Sequence, residues 1–341
     1  MTIHSETNVN VTLAAQKAAT WGTKLVDGSL TQRLPLLSSD VGKQAPMFYN
    51  DAEEVGKGHA DPTRLDIEGH EYSRSLNYHL EAWLAAWVGA FGLGKITSAG
   101  PTDSAYTHTC LRSLRSDDNG QLPWTTIVEE NDSDDWYRND IVVGGFELSG
   151  QIGQRPTLKI DVVGSGKEED ASAFSTPAFA TANLLKLTGL QFQFGVAGAL
   201  VDLSSRLRTF KISHNNNLDV GNSRSPGCGL YAAQCLYGDQ RPASLEFTVI
   251  RSGVTELTQL KAATQLQAVF TFTGGLIGAG ATAHSLTITF TALKIEDVDI
   301  TFDNKRELFT VKPALFYTAA DQGQMKWVVV NGTAGFAVAE A

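Results

Sequence analysis

Cysteine, methionine and basic residues are the scarce components of this 341-residue chain. Its three cysteines, Cys110, Cys228 and Cys235, are odd in number and too widely spread for a disulfide framework, so free thiols in a reducing compartment are expected. Lys and Arg total 27 against 37 Asp and Glu, a formal charge of -10 with a pI near 5.2. Gripping nucleic acid needs clustered cations that release counterions from phosphate; this balance would repel DNA rather than hold it. No stretch approaches the ~20 apolar residues of a membrane helix, and no membrane association is expected. Residues 1–20 lack the basic and apolar regions of a signal peptide, which also disfavours export as an outer-membrane barrel.

The patterns of catalysis are missing too. His4, His59, His70, His79, His108, His214 and His284 never fall in HxxxH or HxH spacing, and none adjoins a cysteine, so no zinc centre is expected. The glycine clusters GAFGLG (89–94) and GGLIGAG (274–280) lack the strand-turn-helix setting of a phosphate loop and read as turns. The acidic stretch from Glu129 to Asp140 lacks the alternation, glycine and distal Glu of a calcium loop; a solvated or inter-subunit loop is expected. There is no GxSxG elbow, and SPGCG around Cys228 has no adjoining histidine. Neither an enzyme nor a cofactor is expected.

What is abundant points to β structure: 32 glycines, 42% hydrophobic residues, and many runs of Thr, Val and Phe. Residues 1–20 read as a polar arm ordered only by contact, Ser29–Leu37 as a weak strand, and Ser38–Pro62 as a long irregular segment. Arg64–Ser73 is strand-like. Leu76, Leu80, Trp83, Leu84, Trp87, Val88 and Phe91 then fall at helical spacings, with Ser75 as cap and Gly92 as stop. Trp124–Val128, Ile141–Leu148 and Thr157–Val163 form a meander, in whose last run Leu158, Ile160 and Val162 alternate with Thr157, Lys159 and Asp161.

Glu168–Thr181 reads as a linker. Strands follow around Phe192, Phe210 and Ile212, then a second irregular segment, Asn215–Arg241. Leu245, Phe247 and Val249 make a strand; Leu257, Leu260, Lys261 and Thr264 suggest a short helix; Ala268, Phe270 and Phe272 another strand. In Ser285–Ile300 the alternation changes phase at Ala292–Leu293, which implies a bulge. Glu307–Tyr317 and Trp327–Val330 close the set. One order of parts (strand, irregular segment, strand, helix, strands) thus occurs twice, over roughly 29–166 and 205–318. The expected division is an arm at 1–20 and two halves, 21–170 and 171–341.

The segments LPWTTIVEEN (122–131), DDWYRND (134–140) and DVVGSG (161–166), with AATWGT (18–23), LNYHLEAWLAAWVGAFG (76–92) and LRTFKISHNNNL (207–218) in that family's order, resemble the tail tube (major tail) proteins of long-tailed, non-contractile phages. The likeness spans about Trp21 to Asn331. It implies a mainly β (α+β) fold of two tandem β-sandwich or half-barrel units, each with a flanking helix, assembling into a ring with a β-barrel lumen. It implies a structural virion protein, made in the host cytoplasm, whose stacked rings form the tail conduit for DNA. Implied partners are copies of itself, the tape-measure protein, the tail terminator and the distal tail or tip proteins, while DNA passes without specific binding. Sixfold rings in such phages imply a trimeric pseudo-hexamer for a doubled chain, a true hexamer being the alternative.

Alternation then nominates Thr157, Lys159, Asp161, Thr287, Thr289 and Thr291 as lumen-facing. The two irregular segments nominate Ser38, Asp40, Lys43, Asp51, Lys57, Asn215, Asp219, Arg224 and Tyr231 as inter-ring loop residues. The rival reading from another class is a β-rich phage adhesin or capsid decoration protein, but the fibrous repeat and carbohydrate-type aromatic cluster of an adhesin are lacking.

Overall fold

A computed structural model describes residues 10–39, 43–48, 67–118, 120–130, 135–219, 231–232, 234–238, 240–253, 258, 264–303 and 306–336. The chain opens with β1 (Asn10–Ala14), β2 (Leu30–Leu34), β3 (Leu36–Ser39), β4 (Lys43–Phe48) and β5 (Ile67–His79). Helix α1 (Ala82–Val88) runs into a π-helical turn at Gly89–Leu93. Next come β6 (Gly94–Thr102), β7 (Ala105–Arg112), a one-turn helix α2 (Arg115–Asp118), β8 (Thr125–Glu130), β9 (Asp135–Gln151), β10 (Thr157–Gly164) and β11 (Glu168–Asp170). The remainder forms β12 (Lys186–Val196), β13 (Ala199–Asp202), β14 (Leu207–Asn215), β15 (Leu218–Asp219), β16 (Leu236–Tyr237) and β17 (Ala243–Ile250). The chain ends in β18 (Leu266–Leu276), β19 (Ala283–Asp303), β20 (Arg306–Leu315) and β21 (Lys326–Asn331).

Two strands are much longer than the rest, and each serves two layers. The first part of β9 pairs with β8 and β11, its second part with β10 and β14. Likewise the first part of β19 pairs with β18 and β21, and its second part with β20. One layer is therefore an open run β4-β5-β10-β9-β14-β17-β20-β19. The other is built of β2-β1-β8-β9 and of β13-β12-β18-β19-β21-β7-β6.

Aromatic contacts close the layers on each other. Phe192 of β12 lies 4.9 Å from Phe247 of β17, Phe210 of β14 lies 5.6 Å from Phe270 of β18, and Phe146 of β9 lies 4.9 Å from Trp327 of β21. Rings of this size at 4.5–7 Å supply much of the burial that holds a sandwich together. α1 is buried on every side, and Trp87 donates from Nε1 to the Ala14 carbonyl at 2.8 Å.

The pairing pattern occurs twice. β2-β1-β8-β9 and β13-β12-β18-β19 are joined in the same way, as are β3/β4-β5-β10-β9 and β14-β17-β20-β19. Irregularities recur at matching steps. Asn139 and Asp140 of β9 form a bulge opposite Thr126 that Thr291 and Ala292 of β19 repeat opposite Gln267. Gly144 and Glu296 are the extra residues against β10 and β20, and Leu37 and Arg208 those against β5 and β17. The phase change at Ala292–Leu293 is thus a bulge, with both residues buried.

Several expectations need correction. Leu76–His79 belong to β5, not to a helix: Tyr72, Arg74, Leu76, Tyr78 and Leu80 alternate as buried residues, and a spacing of four fits period 2 as well as period 3.6. Ser75 caps nothing; its Oγ donates to Asp161 Oδ1, and Glu81 is the helix N-cap. The described ends of the acidic stretch are not a loop but pair with each other as β8 and β9, and Glu129, Glu130, Arg138, Asn139 and Asp140 are buried there. Glu168–Thr181 is not a bare linker, because β11 pairs with β9 and Ala171 and Phe174 cover Ala14, Leu30, Val128 and Tyr137. Residues 10–14, read as part of the arm, form buried strand β1. Of the expected second helix, Leu257, Leu260 and Lys261 lie outside the described residues, while Thr258 is helical.

Candidate assembly surface

The layer that runs β4 to β19 presents one face to the core and one to solvent. Directly opposed residues share a face, so the registers define rows across it. One row is Ser38, Asn77, Lys159, Glu147, Ser213 and Ser244; another is Gln151, Thr209, Thr248, Thr310 and Asp299. Ion pairs of alternating sign lie on it: Lys159–Asp161 at 3.2 Å, Lys211–Glu147 at 2.7 Å and Lys312–Asp299 at 3.2 Å. Their side chains stay about half exposed, so each contributes little to stability. In the body of this face three lysines (Lys159, Lys211, Lys312) stand against five carboxylates (Asp161, Glu147, Glu246, Asp297, Asp299). Among the described side chains of this face no cationic patch is available to hold phosphate.

Thr157, Lys159 and Asp161 lie together on this polar face, and Thr157 Oγ1 is 3.1 Å from Ser149 Oγ. Thr287, Thr289 and Thr291 do not join them. They sit on the first part of β19, in the other layer, where Thr287 Oγ1 meets Thr271 Oγ1 at 3.4 Å. Alternation marks which residues share a side of one strand but not which layer a long strand is in, and β19 changes layer midway. The residues that continue the Lys159 face in the second set of strands are Thr310, Lys312, Asp299 and Thr301. The phase change at Ala292 was the signal that could have found them.

The inter-ring candidates are also rearranged. Ser38, Lys43 and Asn215 lie on strands β3, β4 and β14, and Asp219 on the two-residue ladder β15–β16. Ser38 Oγ accepts from Asn77 Nδ2 at 3.0 Å. Tyr231 stacks on His70 with centroids 5.5 Å apart. Asp40, Asp51, Lys57 and Arg224 lie outside the described residues. The two irregular segments nonetheless occupy matching places: each connects the first strand of its set (β4 or β14) to the second (β5 or β17).

Beneath the polar face, the first set of strands buries an ionic cluster that the sequence did not reveal. Glu129 accepts from Tyr72 Oη and Arg74 Nη1 on β5, and from Arg138 Nε at 2.8 Å. Arg138 also bonds Glu168. Burial alone would push the Glu129 carboxyl up, but Arg74 and Arg138 hold it below the usual carboxylate range. Beside it Glu130 accepts from Thr12 Oγ1 at 2.6 Å and pairs with Arg33 at 2.6 Å. In the second set the corresponding positions are Leu245, Phe270 and Phe290, all buried.

A model of the phage tail tube protein family matches residues 9–305, from just before β1 to just past β19. The chain belongs to the phage tail tube protein family. It is a structural component of the virion tail, and self-assembly into the tail is the role of that family. No curated protein matches this tail tube chain. Its family match spans the first set of strands and the second as far as β19, including both long strands that cross between layers, and ends before β20 and β21. An open, aliphatic-lined cleft of about 610 Å³ lies beside the turn after β9 of the tail tube protein, bordered by Ile152, Leu185, Leu187, Leu207 and Phe210. Among the described residues no group of three or more His, Cys, Asp or Glu could hold a metal ion.

Proposed function

We propose that this chain polymerises with copies of itself into stacked rings that form the tail tube of a long-tailed, non-contractile phage, the conduit for DNA delivery into the host. The observation that carries this reading is the run β4-β5-β10-β9-β14-β17-β20-β19, eight strands with one mixed-charge polar face and, among the described residues, an open edge at each end. A sheet with open edges completes its hydrogen bonding only in a neighbour. Two tube-fold halves, 21–170 with β1 (Asn10–Ala14) added to it and 171–341, underlie the repeated strand order, so three chains replace six. Three times eight gives 24 strands, and at ~4.8 Å per strand a closed ring is at least about 37 Å across at the backbone, wider than a DNA duplex.

In that ring the face bearing Thr157, Lys159 and Asp161 lines the lumen, where excess carboxylate keeps phosphate from adhering. The stretches of 38–62 and 215–241 that lie beyond β3, β4 and β14 bridge successive rings. The tape-measure protein fills the bore during assembly, and the terminator and distal tail proteins close the two ends. Assembly takes place in the host cytoplasm. Electron microscopy and mass photometry of the purified chain test this: tubes, or rings of three chains' mass, are expected. Rings of six chains would replace the trimer with a hexamer, and monomers at all concentrations would reject the reading.

A further inference from the structure

The second part of β19 is a strand edge that the other described residues leave bare. Asp297–Asp303 pair with β20 on one side, and among the described residues nothing pairs with them on the other. Ile300 is 47% and Phe302 76% exposed. The matching strand, β9, is covered at that edge by β14, and its Leu148, which corresponds to Ile300, is fully buried.

The covering strand has a counterpart too. β14 is the first strand of its set, as β3 and β4 are of theirs, and the shared irregularity at Leu37 and Arg208 aligns Ser38 with Thr209 and Ser39 with Phe210. Pairing to β5 and β17 aligns Lys43 with Ser213 and Ala45 with Asn215. The extra residues Gly144 and Glu296 align Glu147 with Asp299 and Gly150 with Phe302.

We infer that the bare edge of β19 receives the β3–β4 edge of a second copy of this chain, in the register of the internal β9–β14 seam. Thr209↔Gln151, Phe210↔Gly150, Ser213↔Glu147 and Asn215↔Gly145 become Ser38↔Asp303, Ser39↔Phe302, Lys43↔Asp299 and Ala45↔Asp297 between copies. Two features of the sequence fit this register independently of the topology.

First, bulk is exchanged across the seam. Inside the chain the Phe210 ring fills the space where Gly150 has no side chain: a Cβ there would lie 2.4 Å from Phe210 Cε1. Between copies the aromatic residue is Phe302 and the small one Ser39, so each seam takes one ring and one small residue. Second, the charges match. Glu147 meets Lys211 across the internal seam at 2.7 Å, and the register sets the basic residue Lys43 opposite the acidic Asp299. Of the edges left open among the described residues, β19 is chosen over β13 and β6 because its counterpart β9 is covered along seven residues by β14, whereas β2, the counterpart of β13, meets only an isolated bridge from Arg33 to Phe179.

This rests on self-assembly as proposed above, and cross-linking separates the two. The double variant Lys43→Cys/Asp299→Cys should form intermolecular disulfides on mild oxidation, identified by peptide mass spectrometry. The displaced pair Lys43→Cys/Asp303→Cys should give at least fivefold less. Phe302→Asp, whose side chain is exposed in the single chain, should keep the native circular dichroism and lose ring formation. Rings that form with equal cross-linking in both double variants, or that survive Phe302→Asp, would overturn the register and leave the tube reading intact. The absence of any assembly would overturn both.

Discussion

Arg241 donates from Nε to Oδ1 of Asn216 at 2.7 Å, and the two side chains together hold the end of the buried helical segment. Asn216 Nδ2 donates to the carbonyls of Gly92 and Val143, each at 2.8 Å. Arg241 Nη2 donates to the Gly92 and Leu93 carbonyls at 3.2 and 3.1 Å, and Nη1 to the Ser113 carbonyl at 3.1 Å. The Gly92 and Leu93 carbonyls, at the C-terminal end of the turn after α1, are acceptors that a helix cannot satisfy itself. A segment irregular in sequence thus has its ends fastened to the centre of the fold.

Arg241→Met is therefore expected to destabilise the chain by about 2–4 kcal/mol, since several buried acceptors lose their donors at once. Arg241→Lys should recover little, because an ammonium cannot reproduce the planar fork. Urea midpoints of the three proteins check this.

Glu129→Ala should cost about 3–5 kcal/mol, because it leaves two buried guanidinium groups without their shared partner. The wild-type carboxyl titrates below its ordinary value, so its contribution is present above that value and lost as pH falls through the folded one. Acid unfolding followed by tryptophan fluorescence should show this loss in the wild type and not in Glu129→Ala.

Glu81 behaves in the opposite sense. It is 4% exposed, and burial raises its pKa from 4.5 to about 7. The folded state then holds a proton that the unfolded state has released, so stability falls as pH rises from about 4.5 to about 7 and is level beyond. Glu81→Gln should flatten that window, by at most about 3 kcal/mol, measured as ΔG of unfolding against pH.

Gly89→Ala tests the packing of the π-helical turn. A Cβ at that position would lie 2.5 Å from Cys110 Sγ and 2.9 Å from its Cβ. A loss of about 1–3 kcal/mol is expected, with part of it recovered in the double variant Gly89→Ala/Cys110→Ala, read as a coupling energy in a double-mutant cycle.

The strands whose two faces differ were legible in the sequence. Leu158, Ile160 and Val162, or Phe270 and Phe272, alternate with polar residues because one side meets the core and the other meets water. The doubled order of elements was legible at the level of parts. It was invisible as identity because equivalent core positions are filled by different chemistry, Arg74, Glu129 and Arg138 in one set and Leu245, Phe270 and Phe290 in the other. Alternation alone did not give layer membership, for which the phase change at Ala292 was the one sign. The alternation around Lys159 looks like the alternation around Thr287, yet the two residues lie in different layers because β19 passes from one layer to the other. The helix start was missed because Leu76 and Leu80 satisfy two periods at once.

β9 and β19 are each stitched into both layers by continuous backbone. Peeling one layer from the other would therefore require breaking strands in the middle, and neither layer has a route to melt by itself. Near- and far-ultraviolet circular dichroism should accordingly report one coincident thermal transition for the isolated chain. A tail component built this way fails all at once or not at all.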